Sequence, residues 1–100
     1  MADRAEVTIT HHVQGQGGKY VADVAGEKAT GTLEWEPRGE DVRVATHTIV
    51  PGAIGGRGVA AQLVERFVED ARRLDFRIVP QCSYVAKKFD ENPDWSDLRA

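Results

Sequence analysis

Long apolar runs, pairs of cysteines and an excess of basic charge are all missing from this 100-residue sequence. No apolar run approaches the roughly 18 residues that a membrane-spanning helix needs, and the polar start at Met1–Arg4 does not resemble a signal peptide. The single cysteine, Cys82, cannot form an internal disulfide, so we expect a cytoplasmic protein. The 13 basic and 16 acidic residues, net charge −3, argue against nucleic acid and acidic membranes as partners.

Sequence motifs for metal and nucleotide sites are also absent or weak. His11 and His12 stand together on a predicted strand with no thiol or carboxylate nearby in sequence, so we predict no metal site. No Gly-Lys-Ser or Gly-Lys-Thr is present, which excludes a nucleotide P-loop. The spacing Gly56-x-Gly58-x-x-Ala61 satisfies only a loose dinucleotide fingerprint, and it lies outside the βαβ context of a Rossmann unit. A nucleotide-binding fragment is therefore the third-ranked interpretation.

The periodicity of the apolar residues predicts one α/β domain over residues 1–100. Residues 6–50 alternate in the manner of β-strands and are divided by short turns, which indicates a four-stranded antiparallel meander ending at Val42–Val50. A long amphipathic helix follows. Its predicted apolar stripe is Ala60, Leu63, Val64, Phe67, Val68, Ala71 and Leu74, and its predicted solvent face is Gln62, Glu65, Arg66, Glu69, Asp70, Arg72 and Arg73, with Glu69 and Arg73 suitably spaced for an ion pair.

The last quarter of the sequence predicts a fifth strand, Phe76–Pro80, and a shorter helix from Ser83 to about Asn92. The fourth strand, long helix and fifth strand form one crossover, so these two strands should be parallel. We therefore predict a five-stranded mixed sheet with one long and one short helix. Ligands of such sheets bind in the crevice at the carboxyl ends of parallel strands.

The loop Gly55–Ala60 joins the fourth strand to the long helix. Its glycines permit a tight turn and the close approach of a ligand. Free N–H groups at the start of the helix, together with the positive end of its dipole, favour an anion such as a phosphate. The alternative is that the glycines form only a turn.

Four motifs in order, HTIVP from His47, GGRGVA from Gly55, PQCSY from Pro80 and NP at Asn92, resemble a small single-domain branch of the GNAT superfamily of N-acetyltransferases. That branch typically reads HTxVP, GxGxG/A, PxCPF/Y and HPEY, and the resemblance covers roughly Thr46–Leu98. It implies a minimal GNAT-like fold and acetyl-CoA as the cofactor. The residues implied to contact the cofactor are Ile49, Val50, Gly55, Gly56, Arg57, Gly58, Val59, Ala60, Cys82 and Tyr84.

His47 and Cys82 are the candidate catalytic residues. His47 lies two residues before the position implied to bind the thioester carbonyl, and strand alternation places it with Arg43, Ala45 and Ile49; it is either a base or a structural histidine. Cys82 precedes a helix whose N-terminus favours a thiolate, and it is a nucleophile, a wall of the pantetheine channel or a core residue. The resemblance favours direct transfer in a ternary complex.

This sequence also departs from the branch. Lys88 stands where the branch tends to carry a tyrosine that protonates the leaving thiol, and Ser83 replaces a proline and is a candidate helix cap. Lys88 would serve as a proton donor only if burial lowered its pKa, and Tyr84 is a possible substitute. Only Gln14–Gly18 joins the first two strands, where the superfamily has two helices that build the acceptor site. We expect an acetyl-CoA-dependent N-acyltransferase with an unidentified amine acceptor, small molecule or protein; the alternative is a CoA-binding module without robust transferase activity.

Overall fold

Four antiparallel strands and one parallel strand form a single sheet, in the order of the chain. The computed structural model describes residues 4–100, so the expected polar start at Met1–Asp3 lies outside it. The strands are β1 Val7–Gln14, β2 Gly17–Val24, β3 Thr30–Pro37, β4 Val42–Ile49 and β5 Arg77–Pro80, and only β4 and β5 are parallel. The predicted α/β fold, with its meander and single crossover, is confirmed.

Two α-helices pack on one face of this sheet. They are α1, Val59–Leu74, and α2, Ser83–Glu91; two short 3₁₀ helices span Gly52–Ile54 and Pro93–Leu98. Side chains of both α-helices join those of β2, β3 and β4 in one core. Its largest fully buried side chains include Tyr20, Phe67 and Leu33. None of the helices between Arg4 and Ala100 has the length and apolarity needed to cross a membrane.

The buried stripe of α1 differs from the predicted one at four positions. Val59, rather than Ala60, begins it, because Val59 is the first helical residue and lies four positions before Leu63. Leu74 is 46% exposed at the last position of the helix, before Asp75 reverses the chain in a left-handed conformation. Asp70, predicted to face solvent, is buried.

Asp70 is buried because a polar network satisfies its carboxylate. The Tyr20 hydroxyl donates a 2.7 Å hydrogen bond to Asp70 Oδ2, and Arg73 and Arg66 approach the carboxylate at 3.0 and 3.4 Å. The predicted pairing of Arg73 with Glu69 is therefore wrong, since Arg73 turns to the less solvated carboxylate. Burial raises the pKa of Asp70, but the hydrogen bonds and the two guanidinium charges outweigh it and hold the pKa below its usual value.

An aromatic stack continues this network across the sheet. The His11 ring lies 4.2 Å from the Tyr20 ring and nearly parallel to it, and Trp35 Nε1 donates a 3.0 Å hydrogen bond to His11 Nε2. The Arg43 guanidinium lies 4.1 Å from the centres of both Trp35 and Phe76. Burial, followed by the Arg43 charge, lowers the pKa of His11, so its neutral form is favoured. His11 is a packing residue at this end of the sheet.

A β-bulge in β4 changes which way its side chains point. Glu34 pairs with His47 while the next residue, Trp35, pairs with Ala45, so Thr46 is the extra residue. Ala45 faces the core and is fully buried, whereas His47 is exposed on the opposite face, which we term the open face of the sheet. The predicted grouping of His47 with Ala45 is wrong, because the extra residue reverses the alternation.

We predict that Tyr20→Phe lowers the free energy of unfolding by about 1–3 kcal/mol, because it removes the hydroxyl donor from the buried Asp70 carboxylate. Urea denaturation followed by circular dichroism measures the change. Tyr84→Phe is the matched control, since it removes the hydroxyl of a half-buried tyrosine on α2. Equal stability of both variants and the wild type would contradict this role of the Tyr20–Asp70 pair.

Candidate functional site

The pairing of β4 with β5 ends before the carboxyl end of β4. Their parallel pairing runs from Val42 with Arg77 to Ala45 with Pro80, and the last link is a 2.9 Å hydrogen bond from the Cys82 amide to the Ala45 carbonyl. Beyond it, β4 continues to Ile49 along β3 with no pairing to β5 among the described residues. Ile49 is 55% exposed beside this opening. The two parallel strands are thus unpaired beyond Ala45 and Pro80, at the edge of the sheet where the topology predicted a crevice.

The glycine loop lies between this crevice and the start of α1. Gly56 and Gly58 have φ values of 69° and 76°, left-handed conformations that favour glycine. Gly58 is the N-cap of α1, and no side chain caps the helix with a hydrogen bond. The Gln62 amide bonds to the Gly58 carbonyl at 3.1 Å, so the amides at the helix start before Gln62 have no acceptor within the helix. This arrangement suits an anion.

Two arginines flank the loop. The Ala5 amide donates to the Arg57 carbonyl at 2.7 Å, and this bond holds the neighbouring Arg4 beside Gly58. Nη2 of Arg4 also lies 2.9 Å from each carboxylate oxygen of Glu65. Arg57 reaches Glu27 at 3.3 Å. Sequence analysis missed Arg4, because the contact joins residues more than fifty positions apart and no local pattern marks it.

Cys82 sits at the N-cap of α2, on the same side of β4 as Thr48. Its sulfur lies 3.5 Å from Thr48 Oγ1, and the half-buried side chain packs against the core. Burial raises the pKa of the thiol, but the Thr48 hydroxyl and the backbone amides of Val85, Tyr84 and Thr48 together lower it below its ordinary value. Ser83 is the first helical residue and makes no capping hydrogen bond, so the expectation that it caps α2 is wrong.

His47 lies on the other face of β4 from Cys82. Its Nδ1 is 3.5 Å from Glu34 Oε1, and its side chain is 66% exposed. His47 and Glu34 border a cleft of about 430 Å³ on the open face of the sheet. Its lining residues are Gln14, Gly17, Gly18, Lys19, Glu34, Trp35, Glu36, Thr46, His47 and Gln81. The two candidate catalytic residues thus lie on opposite faces of β4.

Lys88 does not have the lowered pKa that a lysine proton donor would need. Its Nζ lies 3.2 Å from Glu91 Oε1, and this hydrogen bond raises the pKa of Lys88. Tyr84 lies beside it, with the ammonium 5.7 Å from the centre of its ring, and burial raises the pKa of the phenol. Both groups hold their protons at neutral pH. Within residues 4–100, no group of three or more His, Cys, Asp or Glu side chains is arranged to hold a metal ion.

Residues 19–98 match the model of a family described as GCN5-related N-acetyl-transferase. The match spans most of the chain, from β2 to the second 3₁₀ helix. The chain therefore belongs to this family, and the GNAT resemblance seen in the sequence is confirmed.

We predict that Thr48→Val slows alkylation of Cys82 by iodoacetamide near neutral pH, because removal of the hydroxyl raises the thiol pKa and reduces the thiolate fraction. Intact-mass spectrometry follows the reaction. The control is Thr46→Val on the same strand, whose hydroxyl donates instead to the Glu34 carbonyl. Identical rates in the Thr48→Val variant and the wild type would contradict a stabilised thiolate.

Proposed function

We propose that this protein is an acetyl-CoA-dependent N-acyltransferase that moves an acetyl group directly to an amine. The observation that carries the proposal is the opening between β4 and β5, which lies beside a helix N-terminus preceded by left-handed glycines. Membership of the GCN5-related N-acetyltransferase family supports acyl transfer as the reaction class. The amine, a small molecule or a protein, is not specified by these features.

In this proposal the diphosphate of CoA binds the amides of Gly56–Val59. The open backbone at Gly56 supports the assignment, since a Cβ atom there would meet no protein atom within 4 Å, and the ligand can approach closely. The adjoining Gly55 and Ala60 complete the loop. The guanidinium groups of Arg57 and Arg4 add positive charge beside it.

The thioester end of the cofactor would lie in the crevice, where acetyl-CoA supplies an activated acetyl group. The backbone of Ile49 and Val50 borders the opening, and an N–H group there would polarise the thioester carbonyl. Cys82 and Tyr84 form the opposite wall. His47 removes a proton from the acceptor ammonium on the open face of the sheet.

The second candidate function is CoA binding without robust transfer. Lys88 favours it, because the hydrogen bond that Lys88 donates to Glu91 raises the pKa of the residue that stands in place of the family's proton donor. The short β1–β2 turn also favours it, since Gly15 and Gln16 replace an acceptor-binding segment. In both cases we propose a cytoplasmic setting, where the free Cys82 stays reduced.

We predict that Gly58→Asp lowers the affinity for CoA by more than about tenfold, because it places a carboxylate among the phosphate-binding amides. Isothermal titration calorimetry measures the change. Gly58→Asn is the matched control, since asparagine has the same shape and tolerates a positive φ but carries no charge. Unchanged affinity in a folded Gly58→Asp protein would contradict the cofactor site.

A thermal-shift screen against acetyl-CoA, CoA, NAD and ATP tests the ligand class, and stabilisation by NAD or ATP alone would favour a nucleotide-binding protein.

We predict that Cys82→Ala retains substantial turnover, because direct transfer uses the thiol only as a wall of the channel. The assay follows CoA release with n-butylamine and with a lysine-containing peptide as acceptors. Cys82→Ser is the control for side-chain size. A prompt, stoichiometric acetyl adduct on Cys82 that an amine discharges, seen by intact-mass spectrometry, would establish a covalent route instead.

A further inference from the structure

We propose that Glu34 is a positioning residue that orients the His47 imidazole toward the amine acceptor. This inference rests on the proposed transferase function and concerns the same site. Glu34 on β3 and His47 on β4 are directly opposite in the register, and Oε1 of the carboxylate lies 3.5 Å from Nδ1 of the ring. Glu34 is the carboxylate within ion-pair distance of His47 among residues 4–100.

The β-bulge creates this pair. If Thr46 were not an extra residue, His47 would continue the alternation of Ala45 and face the buried side of the sheet. The Thr46 hydroxyl donates a 3.2 Å hydrogen bond to the Glu34 carbonyl, so the bulge is attached to the same residue whose side chain meets His47. Backbone register and side-chain contact therefore fix His47 against Glu34 at the edge of the cleft.

In this proposal the contact selects which ring nitrogen carries the hydrogen. A carboxylate accepts hydrogen bonds, so Glu34 favours the neutral tautomer with hydrogen on Nδ1, and Nε2 keeps its lone pair. The Nε2 lone pair then forms an N–H bond as an N–H bond of the acceptor ammonium breaks. The positive charge passes to the imidazolium beside Glu34, and the neutral amine is left to attack the thioester. The 3.5 Å separation is long for a hydrogen bond, and such contacts commonly shorten when substrate binds.

Other charged groups face the pair from neighbouring strands. Lys19 on β2 is opposite Glu34, and His12 on β1 is opposite Lys19. Glu36 lies two residues along β3 and also lines the cleft, opposite Val44 rather than His47. Glu36 therefore provides a matched control, with the same charge in the same cleft but another strand partner.

Removal of Glu34 should leave the fold intact. Its side chain and that of His47 are 45% and 66% exposed, and ion pairs between exposed groups contribute little to stability. A loss of activity in a Glu34 variant with an unchanged melting temperature would therefore report on the reaction. The affinity for CoA should also stay unchanged, since Glu34 lies on the other side of β4 from Cys82.

The test combines the tautomer of His47 with a double-mutant cycle. In ¹⁵N-detected imidazole spectra of the intact protein with a neutral imidazole, we expect the Nδ1–H form, its loss in Glu34→Ala and its retention in Glu36→Ala. With n-butylamine or a lysine-containing peptide, Glu34→Ala should lower kcat by roughly 10- to 100-fold. The double variant with His47→Ala should be no slower than His47→Ala alone, because Glu34 acts through His47.

Each contrary result has a distinct meaning. An Nε2–H tautomer in the wild type, or additive effects of Glu34→Ala and His47→Ala, would overturn the positioning role while the proposed transferase function stands. A protein that binds acetyl-CoA but acetylates neither amine contradicts the transferase function. The imidazole spectra of the wild type and Glu34→Ala would then decide the positioning geometry alone.

Discussion

One extra residue in β4 governs the arrangement of the whole site. Because Thr46 is bulged, the strand presents Ala45 to the core and Thr48 toward Cys82, yet presents His47 to the open face. A regular strand would have buried His47 and turned Thr48 away from Cys82. The bulge therefore places the Cys82 thiol and the His47 imidazole on opposite faces of β4, the thiol on the helical face and the imidazole on the open face.

The opening beside this bulge depends on the unequal lengths of the two parallel strands. β5 is only four residues long, and Pro80 ends it, whereas β4 continues for four more residues along β3. Proline lacks the N–H group needed to extend the ladder, so the stop is local. Beyond Ala45 the longer strand is paired with β3 and not with β5.

The two ends of α1 serve different purposes. The N-terminus carries the uncapped amides and the glycine loop, whereas the C-terminal half is anchored by the buried contact of Asp70 with Tyr20. The buried carboxylate has partners on its own helix, Arg66 and Arg73, and on β2. This anchoring places polar groups with a structural role far from the crevice. The lowered pKa of Asp70 thus arises from contacts that stabilise the fold.

The sequence by itself determined the order of elements, the parallel crossover, the glycine loop and the family, because these depend on local periodicity and short motifs. It also singled out His47 and Cys82, because each lies within a short contiguous motif. Only the tertiary structure decided that Asp70 is buried, that Arg4 joins the glycine loop and that Glu34 meets His47. Each of these contacts joins residues distant in sequence, and the bulge that sets the last one has no signature in strand alternation, since one inserted residue reverses every later side chain.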